Sequence, residues 1–177
     1  AENMRYRALL NSPVAEDATM TVARIVAVSP DVNRQLLTLD RGRDEGVDVG
    51  HPVLNAEGVM GQIVQVGRTA SRALLVTDLQ HGIPVLNNRT GQRAIAEGVG
   101  RLDQLVIRNL ASTSDVSSGD LWVTSGLGER FPTGYPVGRT RETTTSGDAA
   151  YLSVTLQTSA ALDVESHVLI LTSTDAP

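Results

Sequence analysis

Three histidines, His51, His81 and His167, are the side chains of this chain that titrate near neutral pH. Histidines that bind a metal together commonly stand about four residues apart on a helix, and no two of these do. His51 precedes Pro52 in a turn, His81 precedes Gly82, and His167 begins an apolar run. We interpret all three as solvated or turn-capping residues and expect no metal and no cofactor.

A serine hydrolase is the enzymatic alternative, because pairs of small β-barrels also carry serine proteases. Ser125 is the candidate nucleophile, with His51 or His81 as base and Asp40 or Asp78 as its orienting carboxylate. The residues around Ser125 match neither the Gly-Asp-Ser-Gly run of trypsin-like enzymes nor the Gly-x-Ser-x-Gly turn of other hydrolases. We therefore predict that the chain is not an enzyme.

Composition excludes further classes of function. The chain of 177 residues contains no cysteine, which removes thiolate nucleophiles and thiolate metal sites. A net charge of −5, 3% aromatic residues and scattered arginines argue against nucleic-acid binding. Few aromatics also argue against a carbohydrate-binding module for peptidoglycan. Asp44 and Glu45 lie beside Arg41 and Arg43 and are typical of a solvated charge cluster. No apolar stretch reaches the roughly 18 residues that cross a bilayer.

The elements that must position any site are short strands. β-branched and apolar runs alternate with glycine, asparagine, aspartate or proline every eight to twelve residues, which predicts an all-β sandwich or barrel. The predicted strands cover 21–28, 35–39, 52–55, 59–66, 73–77, 83–86, 94–99, 104–109, 121–124, 136–143, 150–156 and 167–171.

Counting these strands predicts two barrels. A weak repeat favours two similar units. An apolar residue, a turn centred on glycine and a strand follow one another at 47–53 and again at 116–122. Residues 32–112 hold enough strands to close a first β-barrel, whereas 113–175 hold too few. We therefore predict that 19–31 joins 113–175 in a second β-barrel, with the first inserted into it.

Residues 1–12 are predicted to form the end of a helix. Met4 and Ala8 lie four residues apart on one face, and Asn11 to Pro13 ends the pattern. We predict the end of a coiled coil whose dimer contact includes Met4 and Ala8. A frayed terminus is the alternative.

Aromatic residues concentrate near residue 130. Trp122 and Phe131 are the only tryptophan and phenylalanine, and Tyr135 follows among several glycines and prolines. Such a cluster is either the packing anchor of the second barrel, which is the default interpretation, or a partner contact. Candidate partner-binding residues are Trp122, Leu127, Phe131 and Tyr135.

Several short motifs resemble the rod-shape-determining MreC family of bacteria over nearly the whole chain. They are Leu39-Asp40-Arg41-Gly42, Gly58-Val59-Met60-Gly61, Leu75-Val76-Thr77-Asp78, Val123-Thr124-Ser125-Gly126-Leu127-Gly128 and Phe131-Pro132-Thr133-Gly134-Tyr135-Pro136-Val137-Gly138. Each is short, and their order and spacing together are specific. Glu129 departs from the small residue common in the family.

The resemblance implies two six-stranded barrels on a coiled coil, in the periplasmic part of a single-pass inner-membrane protein. It implies no enzymatic activity and no cofactor. Implied partners are the class B penicillin-binding transpeptidase of cell elongation, further copies of the chain, and MreD, RodA and MreB. The implied function is to organise and activate lateral peptidoglycan synthesis and maintain rod shape. Contacts through apolar surface or unpaired strand edges are the expected means.

Overall fold

The computed structural model describes residues 18–29, 31, 34–126, 131–162 and 166–174. They form twelve strands and one short 3-10 turn, Arg43–Glu45. The strands are β1 Ala18–Val28, β2 Leu36–Leu39, β3 Pro52–Asn55, β4 Gly58–Val66, β5 Ser71–Leu75, β6 Gly82–Asn87, β7 Arg93–Gly98, β8 Gln104–Ala111, β9 Leu121–Thr124, β10 Pro136–Thr145, β11 Tyr151–Thr158 and β12 His167–Thr174.

The strands close into two six-stranded barrels, as the all-β prediction required. Barrel 1 has the order β1-β12-β3-β4-β5-β2, and barrel 2 has the order β10-β11-β8-β7-β6-β9. All strand pairs are antiparallel. Barrel 2 is inserted in the chain between β5 and β12, so β12 returns to close barrel 1 beside β1.

This pairing corrects the predicted division of the chain. The first barrel was predicted within 32–112 and the second from 19–31 plus 113–175, whereas barrel 2 spans 82–158 and barrel 1 takes 18–75 with 167–174. β6, β7 and β8 were therefore wrongly grouped with the strands of barrel 1, and β1 and β12 were wrongly grouped with the strands of barrel 2. Counting strands locates them but carries no information on which distant strand each one pairs with. The helix predicted over 1–12 lies outside the described residues, and no described helix is long and apolar enough to cross a membrane.

The strands form because alternate side chains point inward. In β5 and β6, for example, buried and more exposed residues alternate along the strand. Bulges bend the longer strands, including β1 between Ile25 and Ala27 and β10 between Thr140 and Glu142. Such bulges let a small sheet curve far enough to close.

The buried apolar residues form one continuous cluster that runs through both barrels. Aliphatic side chains dominate it, with Trp122, Tyr135 and Phe131 as the aromatic members. The barrels also touch directly, since a Cβ added to Gly58 on β4 would lie 2.4 Å from the carbonyl oxygen of Pro136 on β10. The two barrels therefore share a core.

Hydrogen bonds at a second junction tie the barrels together. The backbone N–H of Gln35 donates to Asp78 Oδ2 at 2.6 Å, and Gln35 Nε2 donates to the carbonyl oxygen of Gly100 at 2.9 Å. Thr77 Oγ1 donates to Gln35 Oε1 at 2.5 Å. Gln35 precedes β2 of barrel 1 and Gly100 joins β7 to β8 of barrel 2. Because Gln35, Thr77 and Asp78 are buried, these hydrogen bonds hold the relative position of the barrels.

Candidate interaction site

The aromatic residues predicted as partner contacts lie in the core. Trp122, Phe131 and Tyr135 are all buried, and Trp122 Nε1 donates to Thr140 Oγ1 at 2.9 Å. A partner could reach none of the three without local opening of barrel 2. The structure therefore favours the packing alternative for them. Leu127 lies outside the described residues, as do Met4 and Ala8 of the predicted coiled coil.

Thr124 at the end of β9 folds the aromatic segment back onto the barrel. Its Oγ1 donates to the carbonyl oxygen of Pro132 and accepts from the backbone N–H of Tyr135 at 2.9 Å. Gly126 has a φ of +77°, and a Cβ there would lie 2.3 Å from Thr133 Oγ1. Only glycine fits this position without strain. These contacts hold residues 132–135 against the end of β9, next to the buried Phe131.

His81 lies beneath Phe131, with ring centroids 6.4 Å apart and the ring planes at 82°. Both ring nitrogens are buried and have no hydrogen-bond partner. Burial lowers the pKa of His81 from 6.5 to about 4, and the Asp78 carboxylate opposes part of that effect. At neutral pH the imidazole is uncharged, as its apolar surroundings require.

These histidines do not support the hydrolase alternative. The unpartnered nitrogens of His81 show that no serine hydroxyl and no carboxylate is bonded to it. His51 Nδ1 accepts the backbone N–H of Asp48 at 2.9 Å, which is the turn-capping role expected from the sequence. His167 Nδ1 lies 3.1 Å from the hydroxyl of its exposed neighbour Ser166.

Within the described residues no group of histidine, aspartate and glutamate side chains could hold a metal ion.

An ionic clamp in barrel 2 was not expected from the sequence. Arg89 donates from Nε and Nη2 to the two carboxylate oxygens of Asp120, at 2.8 and 2.9 Å. Asn87 Nδ2 and the backbone N–H of Ser117 also donate to Asp120 Oδ2. Hydrogen bonds from Arg89, Ser117 and Asn87 hold the pKa of Asp120 well below its usual range. The clamp joins the β6–β7 turn to the segment before β9.

β1 presents the most exposed apolar side chains of any strand in the described part of the chain. Val22, Val26 and Val28 are each about half exposed, and Val26 sits at the β1 bulge. Further exposed apolar residues are scattered, namely Val49, Leu79, Ile95, Leu102 and Tyr151. A run of valines on a rigid strand can bind an apolar partner surface, and no sequence signal distinguished these valines from core residues.

A sugar-stacking site finds little support. Tyr151 is exposed, whereas Trp122, Phe131 and Tyr135 are buried, so the described residues offer one aromatic ring to solvent. A cleft of about 380 Å³ lies between the barrels, with Glu57 on one side and Arg139 and Gln157 on the other. It contains no aromatic platform.

Comparison with known proteins agrees with this architecture. The family model described as "Rod shape-determining protein MreC, barrel core" matches residues 25–172. The cell shape-determining protein MreC of Haemophilus influenzae is 40% identical over 170 residues, which are 96% of this chain and 48% of that protein. The chain thus spans about half the length of the curated relatives it matches.

Solved structures share the fold. The major periplasmic domain of the cell shape-determining filament MreC superposes with a TM-score of 0.70 at 28% identity, covering 86% of this chain and 95% of that one. MreC in a complex with penicillin-binding protein PBP2 from Helicobacter pylori has a TM-score of 0.66 at 14% identity, covering 88% and 100%. At that identity the likeness shows the fold alone. With its family match and its relative at 40% identity, this chain belongs to the rod shape-determining protein MreC family.

Proposed function

We propose that this chain is a non-enzymatic periplasmic scaffold of the cell-elongation machinery. In this proposal it binds the class B penicillin-binding transpeptidase, associates with further copies of itself, and so organises and activates lateral peptidoglycan synthesis. Support comes from membership of the MreC family and from the Helicobacter pylori complex of MreC with PBP2. The observation that carries it is a shared, rigid core with exposed apolar residues on an outer strand.

The parent protein would be anchored by a single transmembrane helix and dimerise through a coiled coil containing Met4 and Ala8. MreD, RodA and MreB would be further members of the same assembly. These elements are inferred from the family.

A rigid scaffold can activate a transpeptidase by population shift. If the two barrels bind the active conformation of the enzyme more tightly than the inactive one, the active fraction rises by that difference in affinity. A flexible scaffold would lose part of this difference in affinity, because binding would also cost the conformational entropy of ordering the scaffold. The shared core and the buried hydrogen bonds of Gln35 hold the barrels as one body.

The exposed valines of β1 are the proposed transpeptidase contact. Val22 and Val26 both lie on this one strand, and apolar side chains at the centre of an interface contribute most when water is excluded. Neither side chain is needed for the core, so each can be changed without unfolding barrel 1.

The test compares two valines of similar exposure in barrel 1. Val26 is 50% exposed on β1 and Val49 is 56% exposed in a loop. Binding of the purified elongation transpeptidase is measured by biolayer interferometry with wild-type chain, Val26→Glu and Val49→Glu. A buried charge in the contact should weaken binding at least about tenfold, about 1.4 kcal/mol, in Val26→Glu alone.

Equal affinity of the two variants would place the contact elsewhere on the barrels. An absence of binding by the wild-type chain, with its fold verified by circular dichroism, would contradict the scaffold function itself.

A further inference from the structure

At one end of barrel 2, β10 extends beyond the strand β9 that pairs with it. Residues 141–151, which contain the end of β10 and its turn to β11, are called the arm. β9 pairs with Pro136, Gly138 and Arg139 of β10, whereas β10 continues to Thr145. On its other side β10 remains paired with β11 to the end, through Thr145 and Leu152. One edge of β10 beyond the β9 pairing therefore has no strand beside it in the described structure.

The hydrogen bonds on either side show which backbone groups face this open edge. Thr140 faces β9, because its N–H donates to the carbonyl oxygen of Asp120 and its C=O accepts from Gly119. Past the bulge, Ser146 faces β11, since its N–H donates to the carbonyl oxygen of Tyr151. Strand residues alternate in direction, so Glu142 and Thr144 also face β11.

Thr143 and Thr145 consequently direct their N–H and C=O groups away from β11, toward the open edge. Both residues are exposed, and so are all residues from 141 to 151. Two donors and two acceptors are thus arranged as in a sheet that awaits another strand.

A second frayed edge in barrel 2 is protected, which makes the β10 edge distinctive. β7 and β8 pair only through Glu97 and Gly98, so the remainder of each strand diverges. There β8 carries a bulge at Asn109, whose φ is +63°, and Arg108 pairs with Glu97 at 3.3 Å. Bulges and charges of this kind block edge pairing. From 143 to 145, β10 contains no bulge, proline or charged residue.

We propose that the open edge of β10 pairs antiparallel with the same edge of a second copy of this chain, about a two-fold axis at Thr144. This inference rests on the proposed self-association and gives it a surface. Thr143 of each copy would lie opposite Thr145 of the other. Because each such pair exchanges two hydrogen bonds, the contact satisfies the donors and acceptors of both edges. Registers centred on Thr143 or Thr145 would form fewer bonds.

The charges of the arm agree with this register. It brings Arg141 of one copy level with the hairpin tip of the other, where Asp148 is exposed, and symmetry repeats that attraction. Glu142 then lies opposite the neutral Ser146. Threonine opposite threonine is a favourable cross-strand pair.

The arm is already ordered in the single chain. Ser146 Oγ donates to Asp148 Oδ1 at 2.6 Å, and the backbone N–H of Ala150 donates to the same oxygen at 3.1 Å. Tyr151 N–H donates to Ser146 Oγ at 3.1 Å. A strand held in place loses little conformational entropy when it pairs, which favours association through so short an edge.

The absence of cysteine from the chain permits a direct test. In the proposed pairing, Thr144 of the two copies forms a non-hydrogen-bonded pair with Cα atoms about 4.5 Å apart, close enough for a disulfide. Thr144→Cys and the control Thr19→Cys, an exposed threonine of β1, are oxidised with diamide at equal concentration. Non-reducing electrophoresis should show at least about fivefold more dimer for Thr144→Cys, given this proximity.

A proline variant separates edge pairing from chance collision. Thr143→Pro removes an outward N–H and leaves the hydrogen bonds to β11 in place, which proline at an edge position allows. Added to Thr144→Cys, it should reduce the dimer to the Thr19→Cys level while the thermal melt still shows a folded protein. A dimer that persists despite Thr143→Pro overturns the proposal, and so does equal cross-linking of the two cysteine variants.

Sedimentation of the wild-type chain and Thr143→Pro distinguishes a failure of the edge proposal from a failure of the proposed self-association. If both self-associate equally and no Thr144→Cys dimer forms, the edge proposal fails and self-association stands. If a Thr144→Cys adduct forms only with the transpeptidase, the second copy is the wrong occupant of the edge. A dimer that requires Thr143 but does not affect transpeptidase binding supports the edge proposal on its own.

Discussion

His81 is buried beneath Phe131, and neither of its ring nitrogens has a hydrogen-bond partner. Its pKa is lowered by burial from 6.5 to about 4, so the native protein binds a proton there less readily than the unfolded chain. The stability that this difference contributes is fully present above pH 6.5. It is lost as the pH falls through 6.5 toward 4, because the unfolded state then takes up the proton first.

The magnitude follows from the two pKa values. The full loss, reached below pH 4, is about 3 kcal/mol of unfolding free energy. Between pH 7.5 and 5.5 the loss from this group is about 1.3 kcal/mol, which is a large fraction of the stability of a small domain. Asp78 already opposes the lowering, so a structure without it would show a stronger effect.

His81→Leu is the informative variant, because it removes the titrating group and both unpartnered nitrogens. Replacing an unpaired polar group by an apolar one should change stability at pH 7.5 by less than about 1 kcal/mol. Urea unfolding of the two proteins at pH 7.5 and 5.5 gives the test. The wild-type chain should lose about 1.3 kcal/mol more than His81→Leu.

All other titrating groups, His51 and the carboxylates included, are common to both proteins and cancel in the difference. Equal losses in wild type and His81→Leu would refute the reasoning. An NMR titration that placed the pKa of His81 in the native chain near 6.5 would refute it as well.

Two further predictions concern stability. Asp120→Asn should cost about 2 kcal/mol because Arg89 loses its charged acceptor, whereas the control Asp115→Asn should leave the melting temperature nearly unchanged because its carboxylate is solvent-exposed. Equal thermal shifts of the two variants would contradict the clamp. Gly98→Ala should destabilise by at least about 2 kcal/mol, since its Cβ would lie 2.0 Å from a carbonyl oxygen of the β5–β6 connection. Gly147→Ala, with nothing within 4 Å, is the control and should be nearly neutral by denaturant unfolding.

Local pattern predicted the strands well. The runs 21–28 and 59–66 lie within β1 and β4, and 104–109 and 167–171 lie within β8 and β12. Alternation of side chains and the turn residues that flank them are properties of neighbouring residues, so they can be read without knowing the fold. A solvated or turn-capping role was predicted for all three histidines; His51 caps a turn, whereas for His81 the prediction was wrong, since it is buried and its ring nitrogens have no hydrogen-bond partner.

Strand partners could not be predicted in this way. β12 closes barrel 1 beside β1, although more than 130 residues separate the two strands in the chain. Pairing over such a distance depends on which faces pack together, and alternation within one strand is the same whichever barrel it joins. The predicted barrels therefore had the right number and the wrong strands.

Burial was only partly predictable from the sequence. For Phe131 and Tyr135, packing was the favoured of the two alternatives, and both rings are buried, with Thr124 bonded to the backbone N–H of Tyr135. Val22 and Val26 stand in a β-branched strand typical of a core, yet they face solvent. The burial of these aromatic rings and the exposure of these valines both depend on which elements pack against them.

His51 Nδ1 caps a turn and the ring nitrogens of His81 have no hydrogen-bond partner, so neither histidine is placed as the base of a serine hydrolase. By itself the sequence determined the short strands, the lack of thiol chemistry and the family resemblance, because these depend on residue types and their order. Tertiary structure decided the membership of each barrel, the lowered pKa of His81 and the open edge of β10. Each of these depends on long-range pairing or on removal of water, which residues distant in the chain impose on one another.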